Sequence, residues 1–185
     1  MKEETKRLFT AIPLPDPWLE ANLQVQEALR QAGVDARFVP AQRLHLTLNF
    51  IGESGRLAEI NETLMKLDRS QSPSLVLAGG DRFRRRSGGD LIVWQLEADQ
   101  ALLDYQRRER QALADLGLDL DKRPYRPHLT LARQARGSFL DGPSFPSLFK
   151  GLAPYRPASM TLFWSDRQGG HLVYRPVSSF DFAQL

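Results

Sequence analysis

The chain has 185 residues, 42% hydrophobic and 25% charged, which suits one domain or two small lobes sharing a core and argues against disorder, collagen and coiled coil. It has no cysteine, which excludes disulfides, thiolate metal sites and a cysteine nucleophile, and only three histidines, His45, His128 and His171. The net charge of +3 permits a polyanionic partner without requiring one.

That charge is carried by 20 arginines and only five lysines. Arginine is the planar, bidentate donor suited to phosphate, although a genome rich in arginine codons explains the bias equally well. The N-terminal stretch mixes acidic and basic residues, and its short apolar run is broken by Pro13, Pro15 and Pro17, unlike a signal peptide. No apolar run approaches the ~18 residues of a membrane span, so a cytoplasmic protein without membrane contact is expected.

In chain order, Arg7 to Ile12 reads as a strand. Asp16 as N-cap and Pro17 at the first helical position predict a helix with Trp18, Ala21, Val25, Ala28, Leu29 and Ala32 on one face, stopped by Gly33. A strand over Leu44–Ile51 ends at Gly52, and Leu57, Ile60, Leu64 and Leu67 predict a helix over Gly55–Asp68. Ser74–Ala78 and Leu91–Leu96 read as a hairpin whose connection, Gly79 to Asp90, carries Arg82, Arg84, Arg85 and Arg86. Asp99 can cap a third helix with Leu102, Tyr105, Ala112, Leu113 and Leu116 inward, ended by Gly117. A strand over His128–Arg133 follows, then a Gly-, Pro- and Ser-rich loop over Gly137–Pro157, then strands Ala158–Ser165 and Leu172–Val177. Helices and strands mix without regular βαβ alternation and the connections look like hairpins, which predicts an antiparallel α+β fold. No composition break divides residues 1–185 into separate domains.

One tetrapeptide occurs twice, as His45-Leu46-Thr47-Leu48 and His128-Leu129-Thr130-Leu131, 83 residues apart. Strand alternation puts Leu44, Leu46, Leu48 and Phe50 on one face and His45, Thr47 and Asn49 on the other. The second copy opposes Leu129 and Leu131 to His128 and Thr130. Each strand thus presents a His–Thr pair on the face opposite its leucines. A single such pair can be merely the polar side of a half-buried strand. Two identical copies, using two of three histidines, point to chemistry.

Imidazole titrates near pH 6.5, so one histidine can accept a proton while the other gives one. Threonine hydroxyls can donate to the nonbridging oxygens of a phosphate. Two such strands side by side would flank one phosphorus and form a metal-free site for in-line displacement at a phosphodiester. Metal is the rival use of histidine, but neither motif has a second histidine or a carboxylate on its His face, and no HExxH or Asp-rich motif occurs. No G-x-S-x-G turn, Walker loop or dinucleotide fingerprint is present, so no cofactor is expected.

These motifs resemble those of the 2H phosphoesterases, which carry two H-h-[ST]-h motifs, and most closely the RNA 2′,3′-cyclic phosphodiesterases, also called 2′-5′ RNA ligase-like proteins. The stretches Arg7–Pro15, Phe38–Pro40 leading to Leu44–Glu53, and Arg123–Arg133 carry the resemblance over nearly the whole chain. It implies a single domain over 1–185 with a bilobal α+β fold, two pseudo-twofold-related lobes and antiparallel sheets lining a central cleft. It also implies hydrolysis of a terminal 2′,3′-cyclic phosphate on RNA or a nucleotide to a 2′-phosphate.

His128 is assigned as base on water and His45 as acid to O3′, the reverse order staying open because the two motifs are locally equivalent. Thr47 and Thr130 are assigned as phosphate ligands. Arg133, where the family often has a basic residue, is a candidate phosphate or base contact. Its plain reading is a solvated strand end. Phe9 and Tyr125 are candidate stacking platforms, with core packing the alternative for Phe9, and Arg126 is a further candidate RNA contact. The Arg82–Arg86 cluster is either an RNA contact or a solvated hairpin tip, and His171 reads as a surface residue. Reversible 2′-5′ ligation, hydrolysis of small cyclic nucleotides and non-catalytic binding of RNA ends are the other functions considered. A monomer is the default assembly.

Overall fold

The computed structural model describes residues 4–183. Its strands are β1 (Lys6–Pro13), β2 (Asp35–Phe38), β3 (His45–Ser54), β4 (Leu75–Phe83), β5 (Asp90–Ala98), β6 (His128–Arg136), β7 (Ser159–Gln168) and β8 (His171–Asp181). The α-helices are α1 (Asp16–Gln31), α2 (Leu57–Met65), α3 (Gln100–Asp115) and the single turn α4 (Ser144–Ser147). The fold is α+β, as expected. All strand pairings are antiparallel and follow the order β4-β5-β6-β3-β1-β7-β8, with β2 also paired to β6.

The sheet falls into two groups of four strands. One holds β3, β1, β7 and β8, the other β6, β5, β4 and β2, and a single register pair, Leu46↔Leu129, joins them. The helices cross between the groups. The helix α1 leaves β1 yet packs on β6, while α3 leaves β5 and packs on β3. Their apolar faces, including Trp18, Val25 and Leu29 on α1 and Leu102, Tyr105 and Leu113 on α3, bury against the sheet's leucine face. No helix among the described residues is long and apolar enough to cross a membrane.

The structure amends several local expectations. Pro15, not Asp16, is the N-cap of α1, and no side chain caps it. Asp99 does cap α3, accepting from the Leu102 amide at 3.0 Å. The strand β2 has no counterpart among the expected elements; four residues of mixed polarity on a sheet margin give no periodic signal. The loop over 137–157 holds a 3₁₀ turn at Ser138–Asp141 and α4, and it buries Leu140, Phe145 and Phe149. Phe149 lies so close to Gly80 that a Cβ there would fall about 2.0 Å from its ring. Strand β4 runs on to Phe83, so Arg82 belongs to the sheet and not to the hairpin tip.

Candidate functional site

The repeated motifs open β3 and β6. Both strands show the same burial pattern over their first six residues: half-buried His, buried Leu, half-buried Thr, two buried residues, then an exposed one. Strict alternation would not bury two residues in succession. In the β1–β3 ladder, Thr10 pairs with Asn49 and Ala11 with Thr47, so Leu48 is left over as a bulge. In the β5–β6 ladder, Ile92 pairs with Ala132 and Val93 with Thr130, so Leu131 is left over at the same place in its motif.

The bulges correct the expected faces. Asn49 does not share the His45 face: it is 6% exposed and turned toward α3. Phe50 does not lie with the leucines: it is 59% exposed, with its ring 6.1 Å from Phe9. Arg133 is its counterpart, the fifth residue after His128, and is likewise exposed. One lobe therefore has an aromatic ring where the other has a guanidinium.

A buried glutamine holds each bulge. Gln26 of α1 donates Nε2–H to the Leu131 carbonyl at 3.0 Å and to the Val39 carbonyl at 2.8 Å. Gln106 of α3 donates to the Leu48 carbonyl at 3.4 Å and to Asn49 Oδ1 at 2.9 Å. Beneath β3, Asn49 also donates to Glu109 at 3.0 Å, and the Thr10 hydroxyl donates to the same carboxylate oxygen. Burial raises the Glu109 pKa to about 7, against the lowering effect of the Thr10 and Asn49 hydrogen bonds. Gln26, Gln106 and Glu109 escaped sequence reading because each interrupts an otherwise apolar helical face, where a polar residue reads as noise.

The pair Leu46↔Leu129 is antiparallel, so His45 lies toward Thr130 and Thr47 toward His128. The Tyr125 hydroxyl donates to the Thr47 carbonyl at 2.9 Å and ties the approach to β6 onto β3. The histidines are held alike. Nδ1 of His45 is 2.7 Å from the Arg43 carbonyl, and Nδ1 of His128 is 2.7 Å from the Arg126 carbonyl. A carbonyl only accepts, so both rings carry their hydrogen on Nδ1 and leave Nε2 for chemistry. Nε2 of His45 accepts from the Thr47 hydroxyl at 2.8 Å. The Thr130 hydroxyl has no hydrogen-bond partner among the described residues.

Aromatic rings fix the imidazoles. His45 lies 5.1 Å from Phe9 and 5.3 Å, edge-on, from Tyr174. His128 lies 5.1 Å, edge-on, from Phe83. Burial lowers the His45 pKa from 6.5 to about 4; the Arg43 carbonyl opposes this, and the positive charges of Arg133 and His128 add to it. The His128 pKa is also lowered, by burial first and by Arg133, against the Arg126 carbonyl. Arg133 thus acts on both rings.

Of the other candidates, Phe9 is 3% exposed and stacked on Phe163 at 5.3 Å, so it supports His45 from within. Tyr125 is half-buried with its hydroxyl engaged, and Arg126 is exposed. In the arginine cluster, Arg82 is spent on Asp141 and, at 3.7 Å, on Asp90, and Arg84 lies 3.6 Å from Asp141. His171 is exposed at the start of β8. No group of three His, Asp or Glu able to hold a metal ion occurs among the described residues. Phe83, Phe163 and Tyr174 do not stand out in the sequence, because they come from strands far along the chain with no motif around them.

A family model described as the 2′-5′ RNA ligase superfamily matches residues 14–162. An RNA 2′,3′-cyclic phosphodiesterase of Geobacillus stearothermophilus is 32% identical over 162 residues, 84% of this chain; the match spans only 48%, about half, of that relative's length. The RNA 2′,3′-cyclic phosphodiesterase of Escherichia coli is 29% identical, over 98% of this chain and 99% of its own. Among solved structures, Escherichia coli LigT complexed with 3′-AMP superimposes with a TM-score of 0.73 at 25% identity, covering 98% of this chain and 100% of that one. A Thermus thermophilus protein shares the fold with a TM-score of 0.76 at 24% identity, covering 95% and 97%.

Proposed function

We propose that this chain, which belongs to the 2′-5′ RNA ligase superfamily, is an RNA 2′,3′-cyclic phosphodiesterase. The observation that carries the proposal is the matched pair of histidines, each with Nδ1 tied to a backbone carbonyl, on two strands that meet at Leu46 and Leu129. Nε2 of His45 is held by the Thr47 hydroxyl, and Nε2 of His128 is left open among the described residues. The relatives named for that activity support it.

In the proposed reaction, water attacks the phosphorus of a terminal 2′,3′-cyclic phosphate in line with O3′. Nε2 of His128 takes the proton from water as the new P–O bond forms. The P–O3′ bond breaks, and Nε2–H of His45 gives its proton to O3′. A 2′-phosphate and a 3′-hydroxyl leave, and solvent returns both rings to their starting protonation. In the free protein the depressed pKa of His45 works against this role, and the anionic phosphate has to raise it for Nε2 to carry the proton that burial and Arg133 disfavour. Thr47, Thr130 and Arg133 hold the nonbridging oxygens. Phe50, exposed beside Phe9, offers the terminal base its π face.

The 185 residues form one domain of two lobes, acting as a cytoplasmic monomer on RNA ends or nucleotides without a cofactor. The test is incubation with an oligoribonucleotide bearing a 2′,3′-cyclic phosphate, in EDTA, followed by analysis of the end formed. A 2′-phosphate end is expected; release of the cyclic end unchanged would reduce the protein to a binding module.

A further inference from the structure

We propose that Arg37 and Arg133 form a second phosphate subsite, for the phosphodiester that precedes the terminal nucleotide, and that the protein is therefore built for RNA strands over mononucleotides. The inference rests on the reading of the histidine site as the seat of the terminal phosphate.

The β2–β6 ladder sets Arg37 directly opposite Arg133. Residues directly opposite in an antiparallel pair share a face, with Cβ atoms about 4.5–5.5 Å apart, and like charges placed so are destabilising. Neither guanidinium has an ion-pair or hydrogen-bond partner among the described residues, and both Arg133 and Arg37 are exposed along the same margin. Several other arginines are ion-paired, among them Arg56 with Glu59, Arg82 with Asp141, Arg123 with Asp121 and Arg175 with Asp166. The chain thus leaves a repulsive pair uncompensated beside its histidines, and an external anion relieves it.

Position selects the anion. Arg133 holds on β6 the place that Phe50 holds on β3, and Phe50 lies 6.1 Å from the Phe9 ring that backs His45. The Arg133 charge also lowers the pKa of both histidines, which with that place puts it at the terminal phosphate. Arg37 stands one strand further out, about 4.8 Å across the sheet. With the reach of its side chain it meets the next phosphate of a strand, not the same one. Arg37 also lines, with Asp35, Gly88 and Arg136, a hollow of about 220 Å³ that leaves the approach open. The Arg82–Arg86 cluster is a poorer candidate because Arg82 and Arg84 are engaged by Asp141.

The experiment is calorimetric binding, which needs no turnover. A tetraribonucleotide ending in a 2′-phosphate and the matching nucleoside 2′-phosphate are titrated into wild type, Arg37→Gln and Arg107→Gln at about 50 and 200 mM salt. Arg107, an exposed residue of α3 paired with Asp104, controls for loss of charge alone. The wild type is expected to bind the tetranucleotide at least tenfold more tightly than the nucleotide. Arg37→Gln should lose about five- to tenfold of that preference and about 0.7 of the log K against log salt slope, the share of one single-strand phosphate contact. An unchanged preference in Arg37→Gln, a matching loss in Arg107→Gln, or a wild type without preference overturns the subsite. Strand binding that depends on Arg37 in a protein that leaves cyclic ends intact would retain the subsite and remove the phosphodiesterase reading.

Discussion

Leu46 faces Leu129 across the seam between the two halves of the sheet, and each is flanked by the histidine and threonine of its own motif. Both leucines are fully buried. The proposed reactive groups thus sit on either side of the one register pair that joins the halves.

From this placement, His45→Ala and His128→Ala should each lower the rate on a cyclic-phosphate end by about 10²–10⁴-fold, the usual share of acid–base catalysis. Both residues are only half-buried, so thermal melting should show that the variants stay folded. Full turnover by either variant would refute its role.

The pH dependence has a definite sign. In the free protein His45 protonates only near pH 4, and His128 protonates below 6.5. Above both values no proton donor remains, and below both no acceptor remains. The kcat/KM profile should therefore be bell-shaped with its maximum below pH 6.5, and the two apparent values belong to the pair. A maximum on the alkaline side of about 7 contradicts the assignment. Binding of a nucleoside 2′-phosphate, the product class of the proposed reaction, should also raise the His45 value, as followed by imidazole NMR.

Gln106→Leu strips the Leu48 bulge carbonyl of its buried donor, and Gln26→Leu strips the Val39 carbonyl beside the second bulge, whose Leu131 carbonyl keeps the Val39 amide at 2.8 Å. Leaving such a group unpaired costs about 1–3 kcal/mol, which urea denaturation would detect. If the clamps also aim the motif, kcat should fall while KM changes less. Gln106→Leu should act through His45 and Gln26→Leu through His128, and so displace different limbs of the pH profile. Unaltered stability in both would show that the bulges hold themselves.

Glu109→Gln tests the buried carboxylate. Its folded pKa, near 7, lies above the usual 4.5, so the folded protein binds the extra proton between these values. The stability this confers is present below about pH 4.5 and is lost as pH rises through 7. An amide oxygen can still accept from Thr10 and Asn49. The variant's Tm should therefore be flatter than wild type between about pH 5 and 8 and should gain on it toward the alkaline end.

Phe50→Ala should leave stability within about 0.5 kcal/mol, as expected for an exposed side chain. It should weaken nucleotide binding by about 1–3 kcal/mol if the ring carries a base. Calorimetry with a nucleoside 2′-phosphate reads both the affinity and its loss.

The sequence made the repeat legible because His-Leu-Thr-Leu is local: two identical tetrapeptides need no knowledge of the fold. The leucine faces and the Asp99 cap follow from periodicity and short-range bonding. The bulges after the motifs did not show, because period-two alternation extrapolates through Leu48 and Leu131 without warning. That error turned Asn49 outward and Phe50 inward. The pairing of Arg37 with Arg133 was also hidden, since 96 residues separate them and β2 has no apolar rhythm. Long-range register comes from the packed sheet, and a single chain read alone does not contain it.

The crossing of the two long helices has one more consequence. The first half of the sequence supplies β1 and β3 to one lobe but α1 and β2 to the other. Cutting the chain midway would therefore not yield two self-sufficient pieces. Each fragment would lack the brace for its own motif, and activity should return only when both are refolded together. Nicked protein should behave as an interlocked heterodimer, and the spacing of the two imidazoles is a property of the entire polypeptide.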